Sequence, residues 1–474
     1  MPNKTKLAIY WNTIEIVGKQ LITFIITIVL ARLLQPEDFG LIGMVYVFIM
    51  IATGFVGGGF TAALIYKKEV NIYDYSSVFY FSIFAALIIY VIIFISSNFI
   101  ASFYNQPKLV SILRWLSISF VLGSLTTVHY AIYARKMDFK ITAKIGIISQ
   151  VIAGVSAIII AKLGGGVWAL VAQNLIMNFI TVLMFFIFNT WRPIIYFNIK
   201  KISSLFKYGS NILIGSIMNQ VFDNLYYVII GKFFSSGQLG YYVQANKIQK
   251  IPSDKIQQVI QRSTFPEFTR IADDSIKTKI YFTNLFKNAL FINFPLLISL
   301  AALSNDIVLF LLTDKWVEIA PYVELLCFAS LFLPIFTLCS NAILSKGHSF
   351  LNLKIDFIKK ILLIINILIA FNWGILGLII GQIINSVLFI FIQFYYTKKI
   401  IQIDTLELYK TIFQYLLIGI TPYLLIKLTI NYFSFNHFMN ILIYGSGYFL
   451  IYLSLAQIFK LNERINLKSI LNIK

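Results

Sequence analysis

Leu239-Gly-Tyr-Tyr-Val-Gln-Ala-Asn-Lys-Ile-Gln-Lys-Ile-Pro-Ser-Asp-Lys-Ile-Gln-Gln-Val-Ile-Gln-Arg262 is the stretch on which the fold turns. It is long enough to cross a bilayer, yet it is a weak span by hydropathy because it is polar and basic. Lys247, Lys250, Lys255 and Arg262 recur every three to seven residues, so most of them can share one broad helical face. Ionisable side chains at membrane depth are costly and are kept where they face a bundle interior or a wet cavity. As a span, this stretch carries a cationic surface inside the protein, which suits an anionic substrate.

Its surroundings are strongly apolar. Of 474 residues, 59% are hydrophobic and 12% charged, with a mean hydropathy of +0.83; soluble domains carry roughly 25% charged residues. The composition is that of an all-α integral membrane protein. Only Lys4 and Lys6 precede the first apolar segment, which lacks a small-residue cleavage site, so no signal peptide is expected. The net charge of +20 reads as topology signals beside membrane helices rather than as a nucleic-acid surface. Cys327 and Cys339, twelve residues apart on one predicted helix, are about 18 Å apart and too distant for a disulfide. His129, His348 and His437 are isolated, so no metal site is expected.

Working outward, apolar runs of spanning length predict fourteen transmembrane helices. They fall at about 12–34, 39–65, 76–100, 110–134, 142–161, 167–190, 206–231, 239–264, 281–303, 317–344, 350–371, 374–396, 411–430 and 438–459. One set of connections holds about 24 Lys and Arg; the alternate set holds Lys108, Lys162, Lys232, Lys315 and Lys427. That asymmetry places both termini in the cytoplasm. Removing the eighth span would scramble the alternation after it, so the charge count supports 239–264 as a span. The connections are short, and no soluble domain is expected between spans.

The chain also repeats itself. Leu30-Ala-Arg-Leu-Leu-Gln-Pro-Glu-Asp-Phe-Gly40 is echoed by Ile230-Gly-Lys-Phe-Phe-Ser-Ser-Gly-Gln-Leu-Gly240. Gly165-Gly-Val-Trp-Ala-Leu-Val-Ala-Gln173 is echoed by Gly374-Ile-Leu-Gly-Leu-Ile-Ile-Gly-Gln382. The two offsets agree closely and predict two pseudo-symmetric six-helix lobes plus two C-terminal helices: 1–203, 204–400 and 401–474. Parallel repeats of this kind are a recurrent transporter plan, with substrate held between halves that rock.

Ala31-Arg-Leu-Leu-Gln-Pro-Glu-Asp-Phe-Gly-Leu-Ile-Gly-Met44 and Gly59-Phe-Thr-Ala-Ala-Leu-Ile-Tyr-Lys67 resemble the start of polysaccharide transporters of the MOP superfamily, the Wzx-like flippases. Asp223-Asn-Leu-Tyr-Tyr, Leu239-Gly-Tyr-Tyr and Phe265-Pro-Glu-Phe-Thr-Arg270 are similar to that family's seventh and eighth helices. The resemblance covers the whole chain. It implies two lobes around a cavity lined mainly by spans 1, 2, 7 and 8, in the bacterial cytoplasmic membrane. It further implies translocation of an undecaprenyl-diphosphate-linked oligosaccharide to the outer leaflet, with polysaccharide polymerase and other assembly proteins as partners.

On that reading Lys247, Lys250 and Arg262 lead as ligands for the diphosphate, with Lys255 next. A cation in a low-dielectric cavity attracts phosphate strongly, and Arg can engage it bidentately. The competing reading has Lys247 and Arg262 snorkelling to opposite interfaces and Asp254 paired with Lys250 or Lys255. Pro252 should bend the span. Glu15 and Lys19, an i,i+4 pair, either neutralise each other or form a cytoplasmic gate or headgroup contact. Arg32, with Glu37 and Asp38, fits an outer-gate turn. Asp223, near Asn219, Gln220 and Asn224, either binds a coupling cation or serves as a structural partner. Arg114 is an outer cavity charge or an interfacial anchor. Glu324 and Lys359-Lys360 read as interlobe pairs or snorkelling residues. Gly54, Gly57, Gly58 and Gly59 allow close helix packing.

No G-x-x-x-x-G-K-[ST] motif occurs, so ATP hydrolysis is not expected. No cofactor and no catalytic residue are expected; H+ or Na+ antiport, or the membrane potential, would drive transport. A multidrug or organic-cation antiporter of the same superfamily would favour acidic rather than basic cavity residues. A membrane polysaccharide polymerase or ligase would carry a large outer loop with Arg or His.

Overall fold

The computed structural model describes residues 2–54, 59–199, 202–203, 215, 217–430, 432, 435–459 and 461. Gly57, Gly58, the first part of the seventh span, the Arg262 side chain and the basic tail from 462 onward lie outside the described residues. The described residues are helical, with no strand among them. Eleven stretches among them are long and apolar enough to cross a membrane. One of these, Ser349–Ile401, holds two helices joined by a 3-10 turn at Phe371–Trp373. The eighth span is not among the eleven, because charge outweighs its apolar residues.

The chain divides into two compact units, Met1–Val243 and Gln244–Lys474. This differs from the 203/204 and 400/401 boundaries drawn from the repeat. Residues up to Val243 stay with the first unit because of close helix contacts near Gly40 and Gly240. The two C-terminal helices pack into the second unit.

In the first unit the helices are α1 (Pro2–Leu33), α2 (Pro36–Thr53), α3 (Gly59–Tyr66), α4 (Ile72–Tyr104), α5 (Lys108–Leu116), α6 (Ile118–Lys136), α7 (Phe139–Lys162), α8 (Val167–Phe188) and α9 (Leu225–Phe233). The long helix α10 (Ser236–Arg270) crosses the division between the units. Pro36 opens α2, where a missing N–H costs nothing, and the Gln35 backbone N–H donates to Asp38 Oδ2 at 3.1 Å. Asn71 and Asp74 cap α4 reciprocally, at 3.0 and 3.1 Å. α1 packs along α7, whose Gly146, Ala153, Gly154 and Ala157 recur at helical spacing and admit the larger residues of α1. A methyl on Gly154 would sit 2.0 Å from Ile26 Cδ1.

In the second unit follow α11 (Ser275–Ala302), α12 (Ser304–Leu312), α13 (Ala320–Ala329), α14 (Leu333–Ser345), α15 (Ser349–Ala370), α16 (Gly374–Ile401), α17 (Thr405–Thr429) and α18 (His437–Ile458). α11 is the hub, packing on α13, α14, α17 and α18. Its Phe282, Phe286 and Phe294 are fully buried, as are Phe394 of α16 and Tyr448 and Tyr452 of α18. The Tyr452 hydroxyl donates to Phe291 O at 3.2 Å and that of Tyr448 to Gly419 O at 2.9 Å, so both of these buried phenols are satisfied. Asp274 caps α11, accepting from the Lys277 backbone N–H at 3.0 Å; that bond, with the Lys277 ammonium, holds its carboxyl below the usual range.

Among the described residues, three predicted spans are interrupted. The fourth breaks at Ser117, between α5 and α6. The seventh turns at Asn224, between helical residues 217–223 and α9. The tenth, expected as one helix over 317–344, is a 3-10 turn at Asp314–Ile319 followed by α13 and α14. Pro334 accounts for the last break, since it has no N–H to give the preceding turn. The carbonyls freed there are satisfied from outside: Asn293 Nδ2 donates to Leu331 O at 2.8 Å, and Ser386 Oγ to Ala329 O at 2.7 Å. Cys327 and Cys339 lie on either side of this break, buried and unbridged.

Candidate functional site

α10 presents two unlike faces. Gln244, Gln249 and Ser253 are buried, and Gln249 Nε2 donates to Ser253 Oγ at 2.9 Å. The other face carries Lys247, Lys250, Gln258 and Gln261, all exposed, with Asp254 half-buried among them. At about 100° per residue these five fall within one narrow stripe roughly 21 Å long. Lys255 points elsewhere: with Ile256, Val259, Ile260, Leu285 and Ala289 it lines an apolar cavity of about 290 Å³ against α11 and α14. The structure thus brings Lys247, Lys250 and Asp254 together and sets Lys255 apart.

A second, polar cavity of about 190 Å³ lies between α10, α14, α15 and α16. Gln257, Gln261, Asn352, Asp356, Lys359 and Gln393 contribute its polar lining. Ser340 Oγ donates to Asn352 Oδ1 at 2.7 Å. The Lys359 ammonium lies 5.5 and 5.3 Å over the rings of Phe336 and Phe389, a cation–π arrangement.

In the first unit, Lys19 Nζ lies 2.6 Å from Glu15 Oε1, and Thr142 Oγ1 of α7 donates to Glu15 Oε2 at 2.8 Å. The Lys19 stem crosses Gly146, where a methyl would come 1.8 Å from Lys19 Cε. The pair is therefore seated on α7. Arg114 Nε donates to Ser97 Oγ at 3.1 Å, and its guanidinium carbon lies 4.4 Å over the Phe94 ring, which anchors it to α4. Asp223 is exposed at the last residue before the Asn224 break, and Arg32 is exposed in the last turn of α1.

The repeat has a physical counterpart. A methyl on Gly40 would sit 1.7 Å from Ser236 O, and one on Gly240 would sit 1.8 Å from Pro36 O. Each glycine meets the residue four before its counterpart, so the starts of α2 and α10 touch backbone to backbone in a reciprocal contact. Gly43 adds to it, with Val243 Cγ2 and Leu239 Cδ2 at 2.9 and 3.3 Å from its virtual Cβ. Only residues without a Cβ permit this approach.

The polar cavity was not read from the sequence. Its signal was the recurrence of amides inside apolar helices: Gln257 and Gln261 one turn apart, and Gln393 in an otherwise apolar run. Nor was the partner of Glu324, which accepts from Lys427 Nζ at 2.8 Å and from the Tyr423 hydroxyl. This pair ties α13 to α17 within the second unit and is not interlobe.

Helices of spanning length, several of them interrupted, and a charged stripe along another define a multi-pass membrane transport protein. The chain belongs to the family of polysaccharide biosynthesis proteins, which it matches over residues 29–321. It is similar to the lipopolysaccharide biosynthesis protein WzxC of Escherichia coli (strain K12), 26% identical over 394 residues, 80% of this chain and 78% of that protein. It is also similar to the succinoglycan biosynthesis transport protein ExoT of Rhizobium meliloti (strain 1021), 23% identical over 333 residues, 70% and 67% of the two chains. Among solved structures, the lipid II flippase MurJ in an inward closed conformation superposes with a TM-score of 0.75 at 17% identity, over 95% of this chain and 98% of that one. That likeness establishes a shared fold.

Proposed function

We propose that this chain is a flippase that carries an undecaprenyl-diphosphate-linked oligosaccharide across the cytoplasmic membrane for surface polysaccharide biosynthesis. The observation that carries the reading is the α10 stripe in a chain of this family. Charges along a helix of spanning length are not stable against lipid and belong to a wet space. A stripe with two lysines at one end and amides at the other suits a ligand that is anionic at one end and hydroxyl-rich at the other.

In this reading the chain has fourteen spans, in two six-helix lobes plus two C-terminal helices, with both termini cytoplasmic. Lys250 and Lys247 hold the diphosphate while the polyprenyl chain stays in lipid, and Arg262 extends the basic surface. Lys255, at the rim of an apolar cavity, is the weaker candidate. The Gly40–Gly240 contact joins the outer ends of spans 2 and 8, where Arg32, Glu37 and Asp38 lie, and acts as the outer gate. Glu15 and Lys19, seated on Thr142, brace the cytoplasmic end of span 1. Asp223, at the helix break, and Asp254, beside Lys250, are candidates for coupling to H+ or Na+. The chain is a transporter and not an enzyme; a polymerase would act on the lipid-linked units it delivers. A cation antiporter is not favoured, because Lys247 and Lys250 outnumber Asp254 on the stripe.

Deleting the gene tests the reading. Surface glycan should fall and lipid-linked repeat units should accumulate; unchanged glycan with no accumulation would overturn it.

A further inference from the structure

We infer that the polar cavity between α10, α14, α15 and α16 is a carbohydrate subsite that takes one sugar unit of the transported glycan. This rests on the flippase reading. Four amides converge there from three helices: Gln257 and Gln261 of α10, Asn352 of α15 and Gln393 of α16. Each amide offers an acceptor and two donors, the pattern that matches hydroxyls, which both give and accept. Gln393 is 2% exposed, so its polar end was buried at a cost that a purely structural helix contact does not require.

The charges of the lining argue against a simple ion. Asp356 and Lys359 bring one charge of each sign, so neither a bare cation nor a phosphate finds net opposite charge. The Phe336 and Phe389 rings, edge to face at 4.8 Å, supply an apolar wall for the C–H face of a sugar ring. Small-molecule sites combine such apolar walls with a few placed polar groups. A cavity of about 190 Å³ suits a single sugar unit.

Position along α10 adds a length argument. Gln261 belongs to both the stripe and the cavity. Lys250 and Gln261 are eleven residues apart, about 16 Å along the helix. A diphosphate held at Lys250 therefore places a sugar beyond the first ring of the chain in the cavity. The subsite would read the glycan at a distance from its lipid anchor.

The test uses the full-length chain in lipid nanodiscs with methyl glycosides of glucose, galactose and N-acetylglucosamine, observed by saturation-transfer difference NMR. At least one glycoside should give saturation transfer. Asn352→Ala and Gln393→Ala should each weaken its affinity about fivefold, the loss of one hydrogen bond, with an unchanged thermal unfolding midpoint. Lys250→Ala should leave glycoside affinity unchanged. The two cavity variants sit on different helices, so failure of one to fold leaves the other informative. Absence of saturation transfer for the whole panel, or affinity unchanged from the unmutated chain in both variants, would overturn the inference. So would sodium stabilisation that is lost in Asp356→Asn, which would make the cavity a cation site. Normal dependence of surface glycan on the gene, with no glycoside bound, removes the subsite and leaves the flippase reading. Glycoside binding in a chain whose deletion leaves glycan unchanged does the reverse.

Discussion

Replacing Gly40 with alanine places a methyl 1.7 Å from Ser236 O and 2.6 Å from its carbonyl carbon. Ordinary contact begins at 3.4 Å, so the start of α10 must retreat by about 1.7 Å. Backbone cannot rotate aside as a side chain can. Overpacking of this kind costs about 1–3 kcal/mol. The better helix propensity of alanine returns roughly 1 kcal/mol where the site is free. The net, up to about 2 kcal/mol, is up to about a thirtyfold shift between the touching and separated arrangements. The assay is electron–electron distance measurement between spin labels at Leu33 and Gln238, both exposed, in a background with Cys327→Ala and Cys339→Ala. Gly40→Ala should move the distance distribution to longer values, and Gly240→Ala should do the same by the reciprocal clash with Pro36 O. Gly123→Ala is the control, because nothing lies within 4 Å of its virtual Cβ. An unchanged distribution and an unchanged unfolding midpoint in Gly40→Ala would refute the proposed gate.

Three further outcomes are expected. Lys250→Ala should cut surface glycan at normal protein level while Lys250→Arg retains most of it, since a phosphate ligand needs the charge; quantitative glycan staining decides. Glu324→Gln should lower stability by about 1 kcal/mol, because the Glu324–Lys427 pair is partly exposed and screened, and a double-mutant cycle with Lys427→Met should give a coupling of that order. Asn293→Leu should cost about 1–3 kcal/mol by leaving the buried Leu331 carbonyl unmatched, measurable as a lower unfolding midpoint in detergent.

Much of the fold was legible in the sequence. Apolar runs mark the spans because the bilayer imposes length and hydropathy together. The stretch 239–264 is weak by hydropathy, and only the alternation of Lys and Arg argues for it as a span. The Gly40 and Gly240 echo was legible because backbone contact demands glycine at fixed positions. The breaks were less so. Pro334 announces one, but Ser117 and Asn224 carry no comparable steric signal, and their turns are set by tertiary packing. Lys255 leaves the stripe for a simple reason: it follows Asp254 by one residue, about 100° around the helix. The polar cavity was hidden because Gln257, Asn352 and Gln393 are neutral and far apart in sequence, and only folding brings them together. The compact units also depart from the repeat, because contacts at the α2–α10 crossing outweigh sequence symmetry there.

The central claim is transport of a lipid-linked, diphosphate-bearing glycan along the α10 stripe. It is tested most directly by measuring the leaflet distribution of fluorescently tagged lipid-linked repeat units in proteoliposomes holding the full-length chain. The account predicts that units loaded in one leaflet reach the other, and that Lys250→Ala slows this transfer while the protein stays folded. Transfer no faster than in protein-free vesicles, or equal transfer by Lys250→Ala, would contradict it.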